Sequence, residues 1–501
     1  MKNIFKNRYF LALTAGVFLF ASCENDDIPE VVEEAPPVEL QAGSANVANY
    51  VAIGNSLTAG FTDGALFILA QENSMPNLLA QKFAMIGGGN FTQPLMNDNV
   101  GGALLGGVQI LSPRLYFDGA GPAQVNQTPT TEISNIMPGP YNNMGVPGAK
   151  SFHLLANGYG NLAGVQAGLA NPYFVRMASN PNASMLEDAL AQNPSFFSLW
   201  IGANDVLSFA TSGGSGVNQT GNPDPTTYGG NDITDPTAFA GIYNTILGAL
   251  AGNGSQGVVL NIPYVFTIPF FTTVPYNPVP VDAATAALVN AGYEPYNGGL
   301  QQALAAGLIT AEEAAARTVN FVEGQNAVVI EDEYLTDLTA LGLPSYRQAT
   351  AADLPTLLSA SFIGTLVNND PTLINGVTVP LSDEWILTVD EVEEVTVATD
   401  AYNAIIAQAA SDNGVMMVDA NSILQQINDT GLPFDEFNLN GSLVFGNTFS
   451  LDGVHATARG NAFVANQILL AMDQALGTNF EAAGELLKAA DFTTFYPEVL
   501  P

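Results

Sequence analysis

The sequence has one cysteine, two histidines and only 11 lysines and arginines among 501 residues. A lone cysteine excludes an intrachain disulfide framework. Two histidines and that cysteine are too few for a zinc site, and no metal or cofactor is expected. The aspartates of 224–235 are oxygen donors of the kind calcium takes, but their Gly- and Asn-rich setting reads as a polar surface loop. Against 47 acidic residues the scarce basic ones leave a net charge of −36. Such a chain does not neutralise phosphates, so nucleic acid is excluded as a partner, as is electrostatic docking on anionic lipid. The acidity reads as a solvated surface. No fixed-period repeat occurs, and no apolar run is long enough to span a bilayer. What is present is a hydrophobic fraction of 47%, which supports a sizeable core in one large domain with insertions or in two domains.

The N-terminus carries its own signals. Lys2, Lys6 and Arg8 make a positive start, and "YFLALTAGVFLFA" is an apolar stretch too short to cross a membrane comfortably. It runs into "FASC", which resembles the lipobox of a bacterial lipoprotein. That resemblance implies a signal peptide over 1–22, lipidation (palmitate included) at Cys23, and a secreted protein held to a membrane by its lipid. Residues 23–47 are acidic and proline-containing and read as a flexible tether. An acidic cluster behind the cysteine is similar to the surface-export signals of some Gram-negative lipoproteins, which points to the outer membrane, on its periplasmic or cell-surface face.

From 48 to 501 the pattern is α/β. Apolar runs at 50–54, 195–202, 257–263 and 414–420 read as buried parallel strands, with helical patterns between them. The clearest helix starts at Thr388 in a capping box with Glu391 and stops at Gly414; the last covers 457–476. Alternation of this kind predicts a three-layer α/β/α sandwich. Residues 207–235 read as a long loop and 277–385 as a helical insertion near the site, with Thr310 as another helix cap.

Chemistry concentrates where strands end. Ligands of an open parallel sheet bind at the carboxyl ends of its strands. Ser56 follows the first strand in "YVAIGNSLTAGF", and Asn204 and Asp205 follow the second. A serine hydroxyl needs a base and the base an orienting group. In "FSLDGVHATARG", Asp452 precedes His455 by three residues, so one loop can deliver both. His153 reads as a structural histidine, Asp205 as a loop-ordering acid, and Arg459 as a helix-start or ion-pair residue.

Four blocks in order make the chain resemble the SGNH hydrolase superfamily, the GDSL-type esterases and lipases. "GNSLTAG" resembles the first block and "NMGVPGA" the second; "GAND" and "DGVH" resemble the third and fourth. The resemblance implies a flavodoxin-like parallel sheet and Ser56 as nucleophile, with His455 as base and Asp452 as its partner. It further implies an oxyanion hole made by the amides of Ser56 and Gly148 and the side chain of Asn204. The chain departs from the family at Asn55, where aspartate is usual, at Ala456, where proline is common, and in the long stretches between blocks. No Gly-x-Ser-x-Gly occurs, which argues against the α/β-hydrolase fold. The implied activity is carboxylester hydrolysis through an acyl-enzyme without a cofactor, on a small-molecule, lipid or acylated-sugar ester. An acyltransferase on the same fold and a non-catalytic surface-binding lipoprotein stay open as alternatives. The stretch "VFTIPFFTTVPY" is a candidate wall for an acyl group, and equally an ordinary strand and loop.

Overall fold

Five short apolar strands build the centre of the molecule. They are β1 (Tyr50–Gly54), β2 (Asn143–Gly145), β3 (Phe196–Trp200), β4 (Gln256–Leu260) and β5 (Met416–Val418). The computed structural model describes residues 38–137, 139–252 and 254–500. The expected signal peptide, Cys23 and most of the tether lie outside the described residues. The strands are all parallel and ordered β2-β1-β3-β4-β5, the flavodoxin-like arrangement. The predicted central parallel sheet is therefore present. It has a strand, β2, that the sequence pattern concealed inside "NMGVPGA", because three residues show no periodicity.

Strand order determines where the helices lie. Right-handed crossovers place the connections running one way along the sheet on one face and those running the other way on the opposite face. On one face α2 (Met75–Ala84), after β1, packs against α9 (Ala458–Leu476), after β5. Phe83 of α2 meets Tyr50 and Phe196 edge-on at 5.0 and 5.3 Å. The other face carries α4 (Pro236–Ala251) and α7 (Val389–Asn413), packed on each other. Helix α7 keeps its predicted limits. Thr388 and Glu391 form the capping box, Gly414 takes a left-handed φ of 63°, and Val395, Tyr402 and Ile406 are buried. Among the described residues no helix is long and apolar enough to cross a membrane.

Three stretches differ from their sequence reading. Residues 39–47 of the expected tether are docked. Ser44 N donates to Leu476 O, Asn46 N to Gln256 Oε1, and Val47 is buried, because this stretch is apolar enough to cover the core and has partners for its amides. Of the expected loop 207–235, the first five residues belong to α3 (Asn204–Thr211). The remainder is ordered by its own acids: Asp232 accepts from Val217 N, Gln219 Nε2 and Gly229 N, and Asp235 caps α4 through Ala238 N. Those oxygens serve amides.

The insertion 277–385 holds the two helices α5 (Ala283–Ala305) and α6 (Ala311–Arg317), the latter capped by Thr310. It also holds short antiparallel ladders, such as Val329–Glu331 with Tyr346–Gln348, so it is mixed rather than helical. Arg347, buried between them, grips Asp353 with both terminal nitrogens at 2.6 and 2.7 Å and Asp332 through Nε. Asp353 also accepts the Val389 amide, which ties the insertion to the start of α7.

Candidate active site

The β1–β3 pair is the point where strand order reverses, the usual ligand crevice of an open α/β sheet. Register sets the three blocks level there. Gly54 pairs with Gly145 on one side and Trp200 on the other, so Ser56, Gly148 and Asn204 leave the sheet edge within a few residues of a common line.

Ser56 opens the one-turn helix α1 (Ser56–Ala59). Asn55 caps it, its Oδ1 accepting the Leu57 amide at 3.0 Å, so asparagine supplies the oxygen acceptor a cap needs. The turn can sit down on the sheet only because Gly54 and Gly145 lack side chains. A Cβ on Gly145 would lie 2.3 Å from Ala59 N, and one on Gly54 would lie 2.2 Å from Thr58 Oγ1.

His455 Nε2 lies 2.9 Å from Ser56 Oγ, and His455 Nδ1 lies 2.8 Å from Asp452 Oδ2. Asp452 is the best-solvated group of the site by protein donors. Oδ1 accepts the amides of Val454 and His455 and the Ser450 hydroxyl, and Oδ2 accepts the Gly64 amide. Burial opposes its ionisation, but His455 and these donors outweigh burial and hold the carboxyl well below the usual carboxylate range. An ionised Asp452 only accepts, so Nδ1 carries the imidazole proton and Nε2 presents its lone pair to the serine.

The stretch following Ser56 cradles the acid–base loop. Phe61 stacks obliquely on the His455 ring at 4.7 Å, Thr62 Oγ1 donates to Ala456 O, and Asp63 N donates to Ser450 Oγ. Asp63 Oδ1 in turn accepts the Leu451 amide. Asp63 is buried at a left-handed φ of 51°. Burial pushes its carboxyl up to about 7; the Leu451 amide and Arg114 pull against burial, and the neighbouring Asp452 adds to it. The sequence reading missed Asp63 and Ser450. The available signal was Thr62-Asp63-Gly64, one residue after the first block, a turn tripeptide with an acid at its centre.

The third block supports the second. Asn204 Nδ2 donates one hydrogen to Ala149 O at 2.9 Å. Asp205, fully buried, takes the amide and hydroxyl of Ser151 at 2.8 and 2.7 Å. Gly148, with φ of 82°, therefore sits exposed on a turn pinned just beyond it by Asn204 and Asp205. The remaining candidates are remote from this chemistry. His153 accepts the Lys150 amide at Nδ1 and stacks on Tyr159 at 4.3 Å; burial, with Lys150 adding to it, lowers its pKa to about 4. Arg459 donates to Ala489 O and Asn447 Oδ1 and lies over the Phe437 ring, holding the start of α9. From Ser56, Asn204 and His455 an apolar cavity leads inward, with Val265 and Ile268 of the "VFTIPFF" stretch in its wall.

No protein-family model and no curated protein matches the chain. Among solved structures, an alpha/beta hydrolase enzyme from the metagenome of Lake Arreo, Spain, is 11% identical, with 89% of this chain and 98% of that one covered at a TM-score of 0.30. An extracellular lipase from Streptomyces rimosus is 12% identical, with 85% and 99% covered, also at a TM-score of 0.30. Likenesses this slight bear on neither fold nor function.

Proposed function

We propose that the protein is a serine carboxylester hydrolase of the SGNH, GDSL-type kind, working through an acyl-enzyme. One observation carries the reading: an unbroken relay from Ser56 through His455 to an ionised Asp452, at 2.9 and 2.8 Å, at the β1–β3 reversal point of a parallel sheet. In the proposed reaction His455 Nε2 takes the Ser56 proton as Oγ bonds to the ester carbonyl carbon. The carbonyl oxygen gains the negative charge, and the amides of Ser56 and Gly148 and the second amide hydrogen of Asn204 receive it. His455 then hands its proton to the departing alkoxide as the carbon–oxygen bond breaks. Water repeats the sequence on the acyl-enzyme, releasing the acid and Ser56. Incubating the pure protein with a fluorophosphonate serine probe and with acetyl to long-chain esters tests the reading. Absence of both labelling and turnover would leave a non-catalytic binding protein.

Asn204→Ala removes one oxyanion donor and leaves the relay intact. We expect kcat to fall about 10²- to 10³-fold with KM little changed, since such a donor acts mainly on the transition state. Steady-state kinetics would check this, and a KM effect without a kcat effect would assign Asn204 to substrate binding.

The proposal extends to location. "FASC" ending at Cys23 motivates an N-terminal lipid anchor in the outer membrane. Cys23→Ser should abolish lipidation and release the protein from membrane fractions. Unchanged fractionation and an unchanged N-terminal mass would refute the anchor.

A further inference from the structure

The cavity that opens at Ser56 has a direction. Trp200 ends β3, Leu260 ends β4 and Val418 ends β5, and all three line it. They also form one row. Gly54 pairs with Trp200, Leu260 follows the Leu199–Val259 pair by one step, and Val418 pairs with Leu260. Register partners in a parallel sheet share a face, so the row lies on the side covered by α9, whose Phe463 and Val464 form the facing wall. The cavity is thus a slot between the carboxyl edge of the sheet and the first turns of α9. It starts above β1 and runs across β3 and β4 to β5, three inter-strand spacings or about 14 Å.

The far part is closed by α8 (Ala420–Asp429), where Ala420, Ile423, Leu424 and Ile427 face the slot. Their spacing is that of one helical face. The polar lining gathers at the Ser56 end, in Asn55, Ser56, Asn204 and His455; beyond it the Thr448 hydroxyl is bonded to Gly446 O and the Trp200 indole N–H to Asn261 O. Among the described residues no Asp, Glu, Lys or Arg lines the slot. A ligand filling it is therefore unbranched and apolar, with its polar reacting group at one end.

We propose that this slot holds the acyl chain of the ester, a straight saturated chain of about ten carbons, which in extended form fits within the row of about 14 Å. The proposal rests on the serine-hydrolase reading above. The two-step order of that reaction assigns the slot to the acyl part. The alcohol leaves after the first step, whereas the acyl group stays bonded to Ser56 through both. A chain buried in a slot whose opening is occupied by the acyl-enzyme has no exit, so the leaving alcohol belongs on the open, Gly148 side. Ile423, half-buried on α8, and Val418, at the far end of the row, are then chain-length-determining residues.

The test uses the full-length protein, with p-nitrophenyl esters from acetyl to hexadecanoyl and, in parallel, acetates of alcohols from ethanol to hexadecanol. With the acyl series kcat/KM should climb at up to about fourfold per buried methylene, level off near ten carbons, and fall beyond. The alcohol series should stay nearly flat. Val418→Phe and Ile423→Phe shorten the slot and should lower the decanoyl-to-acetyl ratio of kcat/KM at least tenfold; Ile423→Phe, at a half-exposed site, serves if the buried change prevents folding. A flat or falling acyl series in a protein that turns over acetyl esters overturns the slot assignment and leaves the hydrolase reading standing. Selectivity that follows the alcohol instead overturns the acyl assignment. Absence of all turnover and of fluorophosphonate labelling overturns both.

Discussion

Ser56→Ala should abolish turnover, with kcat falling on the order of 10⁶-fold and only background catalysis left. The change removes the atom that His455 Nε2 faces at 2.9 Å. No neighbouring hydroxyl can replace it. Thr58 is two residues further along α1, about half a turn away and so on its other side, and Thr62 Oγ1 is engaged with Ala456 O. The fold should survive, because Ser56 sits at the mouth of a cleft and the cap of α1 belongs to Asn55. The variant should not label with a fluorophosphonate, whereas Asn204→Ala should still label slowly. The decisive set is kcat, probe labelling and circular dichroism for parent and variant side by side. A variant with more than a few per cent of parental turnover would place the nucleophile elsewhere.

Asp452→Asn should lower kcat by about 10⁴-fold with the overall geometry preserved. The ionised carboxylate accepts a hydrogen bond from Nδ1–H of His455 at 2.8 Å and so leaves Nε2 free to accept. An amide turned to donate to Nδ1 reverses the tautomer, and Nε2 then carries a proton toward Ser56 instead of receiving one. The same carboxylate accepts from Gly64, Val454, His455 and Ser450, so the variant also loosens the loop that delivers the base.

The pH dependence separates these roles. Asp452 has a native pKa below its unfolded value, so its contribution to stability is complete above about pH 4 and is lost as pH falls further toward the native pKa. Acid unfolding of the parent should therefore steepen below about pH 4, and Asp452→Asn should flatten that limb. Across about pH 5 to 9 Asp452 stays charged, so a change of turnover with pH there arises from another group, and Asp63, pushed up to about 7 by burial beside this loop, is one. Thermal melts over pH and a pH–rate profile with chemistry rate-limiting check both. An Asp452→Asn variant with a tenth or more of parental kcat would show that this carboxylate does not orient His455.

Much of this was legible without coordinates, for definite reasons. The three five-residue strands β1, β3 and β4 lie in apolar runs bounded by glycine, proline and asparagine, and burial on both faces of a parallel sheet demands such runs; the three-residue β5 lies in the apolar run 414–420. Helix α7 declared both ends, because a capping box and a C-terminal glycine satisfy local backbone groups and need no tertiary partner. Ser56, Gly148, Asn204, Asp452 and His455 were each legible as the residue following a strand or held within one short motif.

Contacts distant in sequence were decided by the tertiary structure alone. Strand β2 is a strand only because β1 offers it a ladder: Ala52, Ile53 and Gly54 pair with Asn143, Met144 and Gly145. The roles of Asp63 and Ser450 depend on two loops almost 400 residues apart in the chain meeting over His455. The insertion looked helical because its helices carry caps and its ladders carry none; Arg347 with its two buried aspartates shows that its order comes from pairing across it. The apolar slot has no sequence signature at all. Trp200, Leu260 and Val418 read as ordinary core, and only strand order and register line them up from Ser56. The sequence by itself determined which side chains are candidates for the chemistry and where strands and capped helices run, since burial pattern and local hydrogen bonding are properties of neighbouring residues. The fold decided which of those side chains meet and what space lies beside them, since distance and enclosure depend on the packing of residues remote in the chain.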